Sequence, residues 1–137
     1  MKCSFFGHRN APFSLKNELA RCIENLIKEN DAKVFYVGTQ GAFDNLVWES
    51  LSELKRNYPD ILCYKVLAYL PTKEKFDSED TIYPEGLETV PRRFAIIKRN
   101  EWMIEHSDTV ITYVRHSGGA ETFSSLANRK GKRVIEV

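Results

Sequence analysis

Residues 108–137 read "DTVITYVRHSGGAETFSSLANRKGKRVIEV", and this stretch decides the fold. A β-branched run over 109–114 predicts a strand. It halts before Gly118 and Gly119. A helix-like run from Glu121 to Arg129 follows, ends at Gly131, and gives way to a second apolar run over 133–137. Strand, helix and strand in this order form a βαβ unit, whose strands are parallel and joined by a right-handed crossover. A plain connection does not need two adjacent glycines, and the chain has only seven. Backbone that passes close to a ligand does need them, because glycine carries no Cβ.

The same alternation runs back to the start. "KCSFF" (2–6) reads as a strand ending at Gly7. Leu15, Leu19, Cys22, Ile23, Leu26 and Ile27 recur at helical steps, with Ser14 as the expected N-cap. "KVFYV" (33–37) is a second strand ending at Gly38, and Phe43, Val47, Leu51 and Leu54 stripe a second helix that stops near Pro59. "ILCYKVLAYL" (61–70) is a third strand. Thr89 to His106 reads as a helix with Pro91 in its first turn, where a missing N–H costs nothing. The order β-α-β-α-β-loop-α-β-α-β predicts an α/β, Rossmann-like, doubly wound parallel five-stranded sheet in the order 3-2-1-4-5, with helices on both faces. One domain over 1–137 is expected. Residues 71–90, "PTKEKFDSEDTIYPEGLETV", lack periodicity and read as a long loop: a lid, an oligomer contact or a mobile segment. Its first half is charged and expected to be exposed, whereas "TIYPEGLE" carries apolar anchors that can dock on the body.

Bulk properties narrow the function. The net charge is +1, with 42% hydrophobic and 28% charged residues. Near neutrality argues against a broad surface for duplex nucleic acid or acidic lipid, though not against a local anion site. Cys3, Cys22 and Cys63 are odd in number and widely spaced, so free thiols are expected, with no metal site. "MKCSFFGHRN" is too quickly polar for a signal peptide, and no apolar run reaches membrane-spanning length; a cytoplasmic protein is expected.

In a doubly wound sheet the ligand crevice lies beyond the carboxyl ends of the strands, where the strand order reverses. That brings together "GHRN" (7–10), "RHSGGAET" (115–122) and, next door, "GTQGAFD" (38–44). Gly118 and Gly119 open a helix whose unpaired N–H groups favour an anion. Gly7, Gly38, Thr39, Gly41, Ser117 and Thr122 line the same loops. Arg9 suits a phosphate, His8 donates or accepts, and Arg99 lies on the helix leading to strand 4. Asp44, near a helix start, reads as a dipole-compensating charge, and Asp108, at the opposite rim, as structural. Trp102, Met103 and Ile104 read as core. No aromatic–basic stripe stands out. Neither G-x-x-x-x-G-K-S/T nor G-x-G-x-x-G is present.

"FFGHRN", "FYVGTQGAFD", "RFAIIKRNEWMIEHSDTVITYV" and "GGAETFSSLA", in this order, resemble the SLOG superfamily, which unites Smf/DprA, LOG and YpsA-like proteins. The resemblance spans nearly the whole chain and is nearest to small stand-alone bacterial members. It implies a Rossmann-like domain that binds a nucleotide or nucleotide derivative at the glycine-rich loop, with no required cofactor and a possible homodimer. The LOG branch further implies hydrolysis of the N-glycosidic bond of nucleoside 5′-monophosphates, with the pattern P-G-G-x-G-T-x-x-E and an arginine on the preceding helix. Gly118, Gly119 and Thr122 match it, and Arg99 matches the arginine. Ser117 replaces the proline, Glu121 the third glycine, and Ser125 the catalytic glutamate. A serine cannot stabilise an oxocarbenium-like state as a carboxylate does. Glu121 and His8 are then the weak catalytic candidates, and binding is placed ahead of hydrolysis. Binding of single-stranded nucleic acid is the further alternative, by analogy with the Smf/DprA branch.

Overall fold

Six parallel strands form one sheet in the computed structural model, which describes residues 1–70 and 80–137. The strands are β1 (Lys2–Gly7), β2 (Val34–Val37), β3 (Leu62–Val66), β4 (Thr81–Ile82), β5 (Thr109–Tyr113) and β6 (Arg133–Glu136). They lie side by side as β4-β3-β2-β1-β5-β6. The helices are α1 (Lys16–Asn30), α2 (Ala42–Leu54), α3 (Ala95–Glu105) and α4 (Gly119–Arg129).

Side-chain alternation along the central strands splits the core into two layers. Phe5, Phe35 and Ile111 face one way and pack with Leu19 and Ile23 of α1 and Phe43, Val47 and Leu51 of α2. Phe6, Tyr36 and Val110 face the other way and pack with Met103 and Ile104 of α3 and Phe123 and Ala127 of α4. Helices thus cover both faces, and the central strands are apolar on both sides as parallel strands must be. Inside the second layer the Ser4 hydroxyl donates to Met103 O at 3.0 Å and pairs with the Ser107 hydroxyl, which pins the end of α3 to β1. Cys3, Cys22 and Cys63 are free thiols, and burial pushes that of Cys3 up to about 12.

Three expectations need correction. The sheet has six strands in the order 4-3-2-1-5-6, not five in the order 3-2-1-4-5. The added strand, β4, falls inside the stretch read as a loop. Lys65 N–H donates to Asp80 O and Leu67 N–H to Ile82 O, each at 2.8 Å, so two residues satisfy an edge of β3 that would otherwise stay unpaired. Beyond it Pro84 is buried and Leu87 is 5% exposed, so "TIYPEGLE" does dock. The charged first half of the stretch, 71–79, lies outside the described residues. Next, α3 begins at Ala95 rather than Thr89. Val90 precedes Pro91 and is extended, as the proline ring demands, and single 3-10 turns, Leu87–Thr89 and Arg92–Phe94, replace the expected first turns. Finally, Ser14 does not cap α1. It sits in a 3-10 turn, Phe13–Leu15, that runs straight into the helix, and no side chain caps it.

Candidate functional site

The chain winds from β1 through β2 to β3 on one side, then crosses to β5 and β6 on the other. The carboxyl ends of β1 and β5 therefore diverge, and a cleft of about 440 Å³ opens there. Gly7, His8 and Arg9 enter it from the β1 loop, and Gly38, Gln40 and Asp44 from the β2–α2 junction. Ile96, Ile97 and Arg99 enter from α3. His116, Gly118, Gly119 and Phe123 come from the β5 loop and α4.

The two adjacent glycines do different things. Gly118 adopts φ 146°, which a residue with a Cβ rarely does. Gly119 has an ordinary φ, and a Cβ placed on it would meet nothing within 4 Å. What its missing side chain leaves is space on the cleft side. The N–H groups of Gly119, Ala120 and Glu121 take no protein partner among the described residues, whereas Thr122 N–H already donates to Gly118 O at 3.0 Å. The start of α4 thus presents free donors to the cleft.

His8 is 7% exposed, and its ring stacks on His116 with centroids 3.7 Å apart. Its Nε2 accepts from Arg115 N–H at 2.7 Å and from His116 N–H at 3.3 Å. That fixes the neutral ring with its proton on Nδ1. Burial, then His116 and Arg115, hold its pKa below the ordinary value. With the lone pair of Nε2 spent on backbone, His8 anchors the glycine loop and is not free as a base. Arg9 lies alongside: its carbonyl accepts from Ala42 N–H at 2.8 Å, and its Cα presses on Gly41, where a Cβ would stand 2.6 Å away. Gly41 therefore lets the β1 and β2 loops touch and does not itself line the cleft.

The floor holds two buried charges. Asp44 is 9% exposed, and its Oδ2 accepts from Gln40 N–H at 2.9 Å. Burial pushes its carboxyl up to about 6 against the pull of that N–H, Arg99 and Arg9. Arg99 is 2% exposed; it donates from Nε to Asn100 Oδ1 at 2.7 Å and from Nη1 to Val66 O at 2.9 Å. No carboxylate stands within ion-pair distance of it among the described residues, and burial holds its pKa below the ordinary value. Gly38 makes room for both: a Cβ there would lie 2.7 Å from Asp44 Oδ2 and 3.4 Å from Arg99 Cζ.

The structure does not bring every expected residue here. Thr39 lines a separate cavity of about 310 Å³ beside Trp48 and Lys65. Thr122 donates its hydroxyl to Gly118 O at 3.0 Å, and Ser117 is exposed. Glu121 and Ser125 are exposed on α4, outside the cleft lining. Arg115 spends its guanidinium on Val114 O and Val137 O. Asp108 accepts from Lys2 N–H at 2.9 Å, a structural role at the far rim. Asp44 is the carboxylate that lines the cleft, and reading it as a plain helix-dipole charge missed it. Its place among glycines, one turn from Gly38 to Gly41, was the available signal. No group of three or more metal-ligating side chains comes together among the described residues.

The fold and the crevice are those of a Rossmann-like α/β protein with a cleft at the switch point of its sheet. Comparisons with family models and with curated proteins find no match. Among solved structures the chain is similar to DNA processing protein A from Helicobacter pylori, a protein described for its single-stranded DNA binding mode. The TM-score is 0.61 and the identity 19%, over 99% of this chain and 64% of that one. At that identity the likeness establishes the shared fold, and this chain spans about two-thirds of the other protein's length. Among the described residues no helix is long and apolar enough to cross a membrane.

Proposed function

We propose that the cleft binds a phosphate-bearing nucleotide unit. The observation that carries this reading is Arg99: a guanidinium 2% exposed, without an ion pair among the described residues, beside a cleft that also receives the free N–H groups of α4. A buried cation with no counter-ion is costly, and an incoming anion relieves that cost. Arg9 adds a second cation. Ile96, Ile97 and Phe123 give an apolar wall suited to a base. The sequence motifs and the shared fold together support placing the chain in the SLOG superfamily. Phosphate-bearing nucleotides should raise the melting temperature. Gly119→Val or Arg9→Ala should remove that rise, and no rise across a broad nucleotide panel would sink the reading.

A second reading is that the nucleotide unit belongs to a single strand. The likeness to DNA processing protein A supports it. So do two aromatic–basic pairs that lie outside the cleft lining. Arg92 lies 4.3 Å from the Tyr69 ring and Arg93 4.8 Å from the Phe94 ring. Phe13 and Phe94 are 72% and 42% exposed. Bases stack on such rings and phosphates pair with such cations. A gel shift with single-stranded DNA that weakens with salt and with Phe94→Ala supports this form. Retention of free mononucleotides without any shift of the strand argues for the first.

A further inference from the structure

We infer that Asp44 is a specificity residue that accepts a hydrogen bond from a sugar hydroxyl, so that the cleft takes ribonucleoside phosphates in preference to analogues lacking those hydroxyls. The inference rests on the nucleotide reading and adds to it which part of the ligand meets which wall.

Asp44 holds one oxygen, Oδ2, on the Gln40 N–H. Its other oxygen, Oδ1, accepts no hydrogen bond among the described residues. It is not sealed off either, since the fully buried side-chain polar atom without a partner among them is Thr112 Oγ1. Oδ1 therefore keeps some exposure, and Asp44 lines both the cleft and the neighbouring cavity beside Trp48 and Lys65. The cations facing it are Arg99 from α3 and Arg9 from the β1 loop. Arg99 spends Nε and Nη1 on Asn100 and Val66 rather than on the carboxylate. A carboxylate oxygen in this state is left for a donor that the ligand must bring.

Three donors are conceivable, and the walls separate them. A phosphate has none to offer when ionised and is repelled by a carboxylate, so it belongs at the start of α4, beyond Gly118. A base is directed to the apolar side formed by Ile96, Ile97 and Phe123. Between an anion site and an apolar wall lies the sugar, and its hydroxyls are the donors left for Oδ1. A buried acceptor penalises a ligand that fails to satisfy it more than it rewards one that does.

The test compares the four ribonucleoside 5′-monophosphates with their 2′,3′-dideoxy analogues by calorimetric titration, on the wild-type chain and on Asp44→Ala, with Asp44→Asn as a variant of nearly unchanged shape. Wild type should bind the ribonucleotide roughly tenfold to a hundredfold more tightly than its dideoxy analogue. Asp44→Ala should bring the two within about twofold of each other, and Asp44→Asn should also shrink the gap. Equal binding of both ligands by wild type, or discrimination that survives in both variants, overturns the assignment while leaving the nucleotide reading intact. Failure of every nucleotide to bind wild type overturns the nucleotide reading and this inference with it.

Discussion

Replacing Asp44 by Asn should make the protein more stable at neutral pH, and by an amount that depends on pH in a fixed direction. Asp44 is 9% exposed, and burial lifts its carboxyl from 3.8 to about 6 in the folded chain. The native state therefore holds the proton more tightly than the unfolded chain does. The contribution of Asp44 to stability is present below about pH 4 and is lost as pH rises through 6, the reverse of the usual carboxylate behaviour. A difference of about two pH units corresponds to about 3 kcal/mol at pH 8. The Arg99 and Arg9 attractions are already included, since they act on the same titration. Asparagine keeps the shape and an oxygen for the Gln40 N–H but carries no charge. Urea unfolding followed by tryptophan fluorescence, for wild type and Asp44→Asn from pH 4 to pH 8, measures the difference directly. His8 titrates in part of this range with the opposite sign, but it is present in both proteins and cancels. A variant that is no more stable than wild type at pH 8, or a gap that does not narrow toward pH 4, refutes the claim that the floor of the cleft holds a destabilising charge.

Other parts of the fold make further tests. His8 should titrate below its ordinary 6.5 in an NMR pH series, because burial and its neighbours His116 and Arg115 disfavour the charged ring; a value at or above 6.5 contradicts the geometry. Gly7→Ala should destabilise by about 1–3 kcal/mol in chemical unfolding, since the new Cβ would stand 2.2 Å from Phe43 Cγ, and Phe43→Leu in the same chain should recover part of the loss. Thr112→Val should leave stability unchanged or raise it by about 1 kcal/mol, because Thr112 Oγ1 is buried without a partner among the described residues; a clear loss would mean that the hydroxyl is satisfied in solution.

Much of this architecture is legible in the chain because two signals coincide. Apolar runs such as "KCSFF" and "TVITYV" end at polar, glycine-bearing loops, and helical stripes separate them. The five strands read this way remain neighbours as β3-β2-β1-β5-β6. What the pattern hides is set by contacts. Thr81–Ile82 is too short to show periodicity, and it becomes a strand because the edge of β3 offers hydrogen bonds. Pro91 suits a first helical turn, but the same residue forces Val90 to be extended, and the second effect prevails. The pairing of Tyr69 with Arg92 joins residues 23 positions apart and leaves no periodic signal in the chain. Asp44 looks like any acid in a first helical turn until Gly38 and Arg99, from other elements, close over it.

The loops "GHRN" and "SGGAET" face each other, yet they are not two independent halves of a site. His8 reaches across from the first and takes the N–H groups of Arg115 and His116 just ahead of the second. By accepting these part-buried donors His8 holds the glycine loop to its path. The histidine does so as a neutral ring, buttressed by stacking on His116 and by the edge contact with Tyr113 at 5.7 Å. A cationic His8 would lose its acceptor and stand against the His116 ring and Arg115. The donors at the start of α4, without partners among the described residues, are therefore held in place by a residue that need not touch an anion bound there. Removing His8 should weaken binding through the backbone of 115–118, whereas removing Arg9 should weaken it through charge. Amide exchange at Arg115 distinguishes the two, rising in a His8→Ala protein and staying unchanged in Arg9→Ala.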